Sequence, residues 1–355
     1  MNKVLMKGNE AIGEAAIAAG CRYFFGYPIT PQSELPEFLS RRLPQVGGVF
    51  LQAESEVAAI NMVYGAASTG ARVMTSSSSP GISLKQEGIS YLAASELPCV
   101  IVNIMRAGPG LGGIQPSQSD YFQATRGGGH GDYRTIVLAP ASVQEIVDLV
   151  IEGFELADRY RLPVMILGDG NLGQMMEPVQ MDRTAKGRLP AKPWALTGKK
   201  GRPRNIINSL NLDPEKLEMH NRKLERRYQE IKERETKAES YLTDDAEIVV
   251  AAYGIVARVS KAAVDRARAE GIKAGLFRPI TLWPFPEKEL NEATARARNV
   301  LTVEMSLGQM VEDVKLALNG RLPAAFYGRV GGVVPTVSGV FEEIQKINQN
   351  SGKVK

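Results

Sequence analysis

Short, unbroken apolar runs alternate with helical patterns through the first half of this chain, and that alternation restricts the fold more than any other feature. Residues 99–104 and 164–167 are almost continuously apolar. A strand with one wet face alternates apolar and polar positions. A strand that reads apolar throughout is buried on both faces, as in a parallel sheet covered by helices. Further strand signals fall at 23–25, 49–52, 72–75 and 136–138. Between the strands, apolar residues recur at helical spacing over 10–19, 31–43, 55–68, 80–94 and 143–157, with Pro31 suited to a first helical turn. The pattern predicts a helix-covered parallel sheet over residues 1–180.

At 355 residues the chain has room for a second core. Alternation resumes near residue 246, with strands expected at 247–252, 274–277, 300–303 and 325–327 and a helix over 256–270 closed by Gly271. A second, smaller α/β domain is expected over 244–355. The intervening residues 181–243 read as a connector. Their first part is polar and rich in Pro, Gly, Lys and Arg. Residues 214–239 are charged and helix-prone, with Glu and Lys or Arg at supportive spacings, and read as an exposed helix.

Composition narrows the function. Apolar residues at 44% and charged residues at 23% suit an ordinary globular chain. A net charge of +4, from 43 basic and 39 acidic residues, is too small to argue for nucleic acid. The one dense basic stretch, Lys199-Lys-Gly-Arg-Pro-Arg204, reads as a solvated loop. No stretch approaches the roughly 18 apolar residues of a membrane span, and no leader-like apolar run opens the chain. A cytoplasmic protein is the expectation. The two cysteines, Cys21 and Cys99, are far apart and form no CxxC, so an iron–sulfur cluster or Cys-rich zinc site is not expected on this chain alone.

In an open α/β sheet, ligands bind beyond the carboxyl ends of the strands. Two segments deliver polar atoms there. Strand 23–25 runs into Tyr27-Pro-Ile-Thr30-Pro31, and strand 49–52 runs into Glu54-Ser-Glu56 at a helix start. Arg106 ends the apolar strand 99–104 and precedes a glycine-rich loop, 108–119, that lacks the context of a phosphate cradle. It reads as a loop that closes over a substrate. Gly168-Asp169-Gly170 reads as a turn after a strand.

Several motifs occur in an order that resembles the alpha subunit of the 2-oxoacid:ferredoxin oxidoreductases. They are Tyr27-Pro-Ile-Thr-Pro31, Glu54-Ser-Glu56, Ser76-Ser-Ser-Ser-Pro-Gly81, Met105-Arg-Ala-Gly-Pro-Gly110, Phe277-Arg-Pro-Ile-Thr-Leu-Trp-Pro-Phe-Pro286 and Val303-Glu-Met-Ser-Leu-Gly-Gln-Met310. The resemblance covers essentially the whole chain. It implies an α/β fold of two parallel-sheet domains. The first is a thiamine diphosphate pyrimidine-type domain and the second a smaller transketolase-C-like domain. Thiamine diphosphate would then be shared with a beta subunit that holds its diphosphate and Mg2+. Iron–sulfur clusters would lie on partner subunits, including a ferredoxin-like delta subunit beside a gamma subunit, with ferredoxin as acceptor. The implied reaction converts a 2-oxoacid and coenzyme A to acyl-CoA, CO2 and reduced ferredoxin.

The resemblance also assigns roles. Glu56, rather than Glu54, matches the carboxyl that faces the aminopyrimidine ring nitrogen and shares its proton. Thr30 matches the hydroxyl that reaches the substrate, and Arg106 the guanidinium that pairs with its carboxylate. No metal ligand falls on this chain. His130 reads as a loop donor that could touch substrate. The 2-oxoglutarate branch has a Pro-Ser-Thr-Gly segment where this chain has Gly108-Pro-Gly-Leu-Gly-Gly113. That departure, with Gln115-Pro-Ser-Gln-Ser-Asp-Tyr-Phe-Gln123, resembles the 2-oxoisovalerate branch. The alternatives are 2-oxoglutarate, arylglyoxylate or indolepyruvate as substrate, or a non-catalytic assembly subunit.

Overall fold

The computed structural model describes residues 3–181 and 190–351. The first half runs β1 (Val4–Lys7), α1 (Gly8–Ala18), β2 (Tyr23–Gly26), α2 (Glu34–Gln45), β3 (Val49–Gln52), α3 (Glu56–Ser68), β4 (Val73–Ser77), α4 (Ser79–Ala94) and β5 (Cys99–Met105). It continues with α5 (Tyr121–Arg126), β6 (Ile136–Leu138), α6 (Val143–Tyr160), β7 (Pro163–Asp169), α7 (Gly170–Gln174) and β8 (Met176–Val179). The remainder is α8 (Pro214–Arg234), β9 (Ala238–Tyr241), β10 (Ile248–Ala251), α9 (Gly254–Ala269), β11 (Ala274–Pro279) and β12 (Thr281–Trp283). It ends with α10 (Glu287–Ala293), β13 (Asn299–Glu304), α11 (Met310–Leu318), β14 (Ala324–Gly328) and α12 (Val337–Ser351).

The larger sheet has the order β12-β6-β7-β5-β4-β2-β3. Every pair in it is parallel except β12 with β6. Its central strands β5 and β7 are buried at every residue, as continuous apolar runs require. Helix α6 covers one face. Ser142 accepts from the Glu145 N–H to start it, and Arg161 in the left-handed region ends it. The smaller sheet has the order β14-β13-β10-β11-β9, with only β9 antiparallel.

The sheets cross the boundaries expected from sequence. Strand β9 lies in the segment read as a connector, yet it completes the smaller sheet. Strand β12 follows β11 of the smaller sheet and crosses to the edge of the larger one, where Thr281 pairs with Leu138. The charged helix α8 is not a solvated rod. Leu224, Tyr228 and Ile231 make one buried stripe, and the Tyr228 ring meets Trp283 edge-on at 5.8 Å. Helix α2 starts at Glu34, later than Pro31 suggested, because residues 30–33 form a turn. Eight residues of the polar stretch, 182–189, lie outside the described residues.

Candidate active site

Four neighbouring parallel strands, in the order β3-β2-β4-β5, end at one rim of the larger sheet. Glu56 follows β3, Thr30 follows β2, Ser76 to Ser79 close β4, and Arg106 follows β5. Parallel pairing brings these four sequence-distant segments side by side, because parallel strands all end at the same edge.

Glu56 opens α3. Ser55 caps that helix by accepting from the Ala58 N–H at 3.1 Å. Glu56 is buried and Glu54 is exposed, so a two-residue step separates a solvated carboxyl from an enclosed one. The Glu56 side chain turns onto the first turn of α4. A Cβ on Gly81 would stand 2.6 Å from its Oε1 and 2.0 Å from Ser77 Oγ, so any larger residue there would displace those two side chains. Glu56 accepts no hydrogen bond from a described residue. The hydroxyls of Ser77 and Ser78 beside it are buried without a partner. Buried polar groups are almost always satisfied, so a cluster of unpaired ones marks a place where a ligand completes the bonding.

Arg106 is buried. Its Nη1 donates to the Thr30 carbonyl and its Nη2 to the Leu111 carbonyl, each at 3.0 Å. The Nε is buried and unpaired. The guanidinium therefore clamps the Thr30 turn to the glycine-rich loop and retains donors beyond that clamp. Its backbone N–H donates to Ser79 Oγ at 3.0 Å. The first turn of α4 thus touches Glu56 through Gly81 and Arg106 through Ser79. Thr30 is exposed, and its carbonyl carries the link to Arg106.

A cavity of about 610 Å³ opens beside Arg106 between the two sheets, lined among others by Ser79, Asp120, Met305, Leu307 and Val330. Glu56 and Thr30 are not among its lining residues. Burial pushes the Asp120 carboxyl above the usual carboxylate range, and Asn103 Nδ2 donates to it at 2.9 Å. The loop expected to close over substrate divides in two. Leu111 and its neighbours are exposed, while residues 117–126 hold the second domain. Gln118 N–H donates to the Met305 carbonyl at 2.9 Å, and Met305 N–H returns to Gln118 Oε1 at 3.1 Å. Tyr121 OH reaches Asp313 at 2.6 Å. His130 is exposed on the loop after α5.

Asp169 does structural work. Its Oδ1 accepts from the Asn171 and Leu172 N–H groups to start α7, and its Oδ2 accepts from Ile255 N–H at the start of α9. Burial pushes this carboxyl up to about 6. Burial also pushes the Cys21 thiol up to about 12 and the Cys99 thiol well above its usual value, so both are neutral core groups. Among the described residues there is no cluster of three metal-ligating side chains, and no helix is long and apolar enough to cross a membrane. Sequence reading passed over Lys85. It is fully buried on the face of α4 that carries Gly81 and Gly88. A lysine in a helical pattern counts as polar, and only its place on the glycine face could have singled it out.

Residues 14–246 match the thiamine-diphosphate-binding domain of pyruvate flavodoxin/ferredoxin oxidoreductase, and residues 246–340 match core domain II of pyruvate:ferredoxin oxidoreductase. The chain belongs to this oxidoreductase family. The resemblance read from its motifs and the two-domain α/β fold are borne out. Ketoisovalerate oxidoreductase subunit VorB of Methanothermobacter thermautotrophicus is 52% identical over 347 residues, 98% of each chain. The 2-oxoglutarate synthase subunit KorA of the same organism is 38% identical, over 97% of this chain and 98% of its own. The 2-oxoglutarate:ferredoxin oxidoreductase of Magnetococcus marinus, solved with 2-oxoglutarate, coenzyme A and succinyl-CoA bound, matches with a TM-score of 0.86 at 28% identity. That match covers 97% of this chain and 65% of the other. Membership makes this a subunit of a thiamine-diphosphate-dependent 2-oxoacid oxidoreductase.

Proposed function

We propose that this chain is the alpha subunit of a cytoplasmic 2-oxoisovalerate:ferredoxin oxidoreductase. It makes branched acyl-CoA, CO2 and reduced ferredoxin, and works only with its partners. The observation that carries the reading is the buried Glu56 side chain packed against Gly81, beside the partnerless buried hydroxyls of Ser77 and Ser78. That donor set fits the aminopyrimidine half of thiamine diphosphate, which needs a carboxyl at its ring nitrogen. The cofactor when bound supplies the carbanion chemistry of decarboxylation. Glu56 then holds and shares one proton at that nitrogen. Arg106 offers its remaining N–H groups, Nε among them, to the substrate carboxylate, and the Thr30 hydroxyl orients the same group. A beta subunit holds the diphosphate and Mg2+. Gamma and delta subunits bring coenzyme A and the iron–sulfur clusters. Residues 1–180 serve as the pyrimidine-type domain and 244–355 as the transketolase-C-like domain, with β9 of the intervening segment added to the smaller sheet and β12 lent to the larger one.

The branched-chain substrate is supported by the higher identity to the ketoisovalerate subunit than to the 2-oxoglutarate subunit. The exposed Leu111 adds an apolar side chain to the loop that Arg106 holds. The test is turnover of a panel of 2-oxoacids by the native complex. A preference for 2-oxoisovalerate over 2-oxoglutarate of at least roughly tenfold in kcat/KM is expected, because one or two methyl groups discriminate by about 1–3 kcal/mol. Leu111→Ser should erode that preference. Equal or better turnover of 2-oxoglutarate rejects the substrate and leaves the family standing. Thiamine-dependent turnover by the isolated subunit would reject the split site.

A further inference from the structure

Asn103 interrupts the otherwise apolar strand β5 and is completely buried. A buried amide must find partners. Its Nδ2 donates to Asp120 Oδ2 at 2.9 Å, and its Oδ1 accepts from the Ser79 N–H at 3.1 Å. The Ser79 hydroxyl bonds the same Asp120 carboxyl. That hydroxyl also accepts from the Arg106 N–H at 3.0 Å and lies 3.2 Å from the Arg106 carbonyl. One carboxyl is thus joined, through an amide and a hydroxyl, to the backbone that carries the Arg106 side chain.

Asp120 has no other evident task. It stands just before α5, where an Asp ordinarily accepts from N–H groups of its own helix. It makes no such bond. Arg126, at the far end of that helix, pairs with Asp313, and the Arg106 guanidinium goes to the Thr30 and Leu111 carbonyls. The residues around Asp120 are held from the second domain. Gln309, just before α11, donates through Nε2 to the Ser119 carbonyl at 2.7 Å and accepts through Oε1 from the Phe122 N–H at 2.8 Å. A single side chain of that domain brackets Asp120, and both line the cavity beside Arg106.

Resting on the reading of Arg106 as the partner of the substrate carboxylate, we propose that Asp120 is a positioning residue through which the second domain places Arg106. Gln309 sets where Asp120 stands. Asp120 sets Asn103 and Ser79, and those two fix the backbone from which the guanidinium reaches the substrate. A small misplacement of a binding group is costly, because its donors must meet the ligand already aligned. The second domain thereby takes part in substrate recognition, although Arg106 belongs to the first. Bond geometry does this, not charge. An asparagine at 120 would offer Asn103 Nδ2 the same kind of oxygen, whereas an alanine would offer nothing.

The test uses the reconstituted complex carrying Asp120→Ala, Asp120→Asn, Gln309→Ala or the Asp120→Ala/Gln309→Ala pair. Three quantities are read: KM and kcat for the preferred 2-oxoacid, the inhibition constant of oxamate, an unreactive mimic of the 2-oxoacid head group, and the calorimetric affinity of the apo complex for thiamine diphosphate with Mg2+. Asp120→Ala should raise KM and the oxamate constant together by about tenfold, the worth of one hydrogen bond to a charged group, with kcat within about threefold. Cofactor affinity should not move. Asp120→Asn should recover most of the loss. Gln309→Ala should shift the same two constants by about threefold, and it carries the test alone if Asp120→Ala does not assemble. The double variant should be no worse than Asp120→Ala, since both changes lie on one path. An Asp120→Asn complex as impaired as Asp120→Ala, a fall in kcat with KM and the oxamate constant unchanged, or a parallel loss of cofactor affinity overturns the proposal. Additive effects of the two alanine changes overturn it as well, by detaching the second domain from Arg106. An oxamate constant unchanged in Arg106→Lys overturns instead the role of Arg106.

Discussion

Glu56 and Glu304 are both buried carboxyls between a strand of a mostly parallel sheet and a following helix, one in each sheet. They are used in opposite ways. Glu304 ends β13 and is saturated. Its Oε2 accepts from Ser306 Oγ at 3.0 Å, Gln309 N–H at 3.1 Å and Met310 N–H at 2.9 Å, and its Oε1 from Val311 N–H at 2.9 Å. Those bonds close the start of α11. Glu56 begins α3 and leaves its cap to Ser55, so its oxygens remain for something else. A satisfied buried carboxyl is architecture. A carboxyl that no described residue bonds, beside orphaned buried hydroxyls, is a place for a ligand.

Substitution should separate the two sharply. Glu56→Gln is expected to cut turnover of the assembled complex by about 10²- to 10⁴-fold, the usual worth of a positioned proton-sharing group. Glu54→Gln should stay within a few-fold. A lethal Glu54 change beside a tolerated Glu56 change, in steady-state assays of complexes of normal composition, would move the site by two residues.

Arg106→Lys comes next. Lysine cannot hold the Thr30 and Leu111 carbonyls with one planar fork and still present a donor to substrate. A loss of roughly 10- to 100-fold in kcat/KM, common to all 2-oxoacids, is expected from losing one charge-assisted pair. A loss confined to one substrate would show that Arg106 reads the side chain instead.

Glu304→Gln should act on stability alone. Its amide NH2 must face backbone N–H donors, which costs about 1–3 kcal/mol. A lower melting temperature with kcat/KM per folded complex within about twofold is expected, since Glu304 is bonded only within its own domain. An activity loss without a melting shift would erase the contrast with Glu56.

The smallest effect is a slope. Asp169 is held at about 6, above its unfolded value of about 3.9. The folded chain binds this proton more tightly than the unfolded one. The stability gained is therefore full below about pH 4 and lost as the pH rises through about 6. Melting scans across that window should show wild type declining relative to Asp169→Asn. Parallel curves would mean that the α7 and α9 N–H groups fully offset the buried charge.

Much of the larger sheet was legible in the sequence, because β5, β7 and their neighbours are apolar strands whose burial is written residue by residue. The strands that escaped, β1, β8, β9 and β12, are short edges whose partners are distant in sequence. Antiparallel pairing of Lys7 with Met176, or of Trp283 with Val137, depends on where the chain returns and leaves little local pattern. At the site, the strand-to-helix transition before Glu56 could be read locally. The exposure of Thr30 could not, since it depends on what the rest of the chain leaves uncovered. Neither could the backbone carbonyls that engage Arg106, which come from segments on either side of it in sequence.

Strand β12 carries a lesson about synthesis. Among the described residues, the edge of the larger sheet at β6 is covered by residues 281–283 alone, which leave the ribosome long after β7. Until then the emerging N-terminal half presents an unpaired strand edge, the kind that recruits other chains. Cutting the gene between the two family signatures at residue 246 would make that exposure permanent. The fragment would be expected to self-associate, however complete its candidate site.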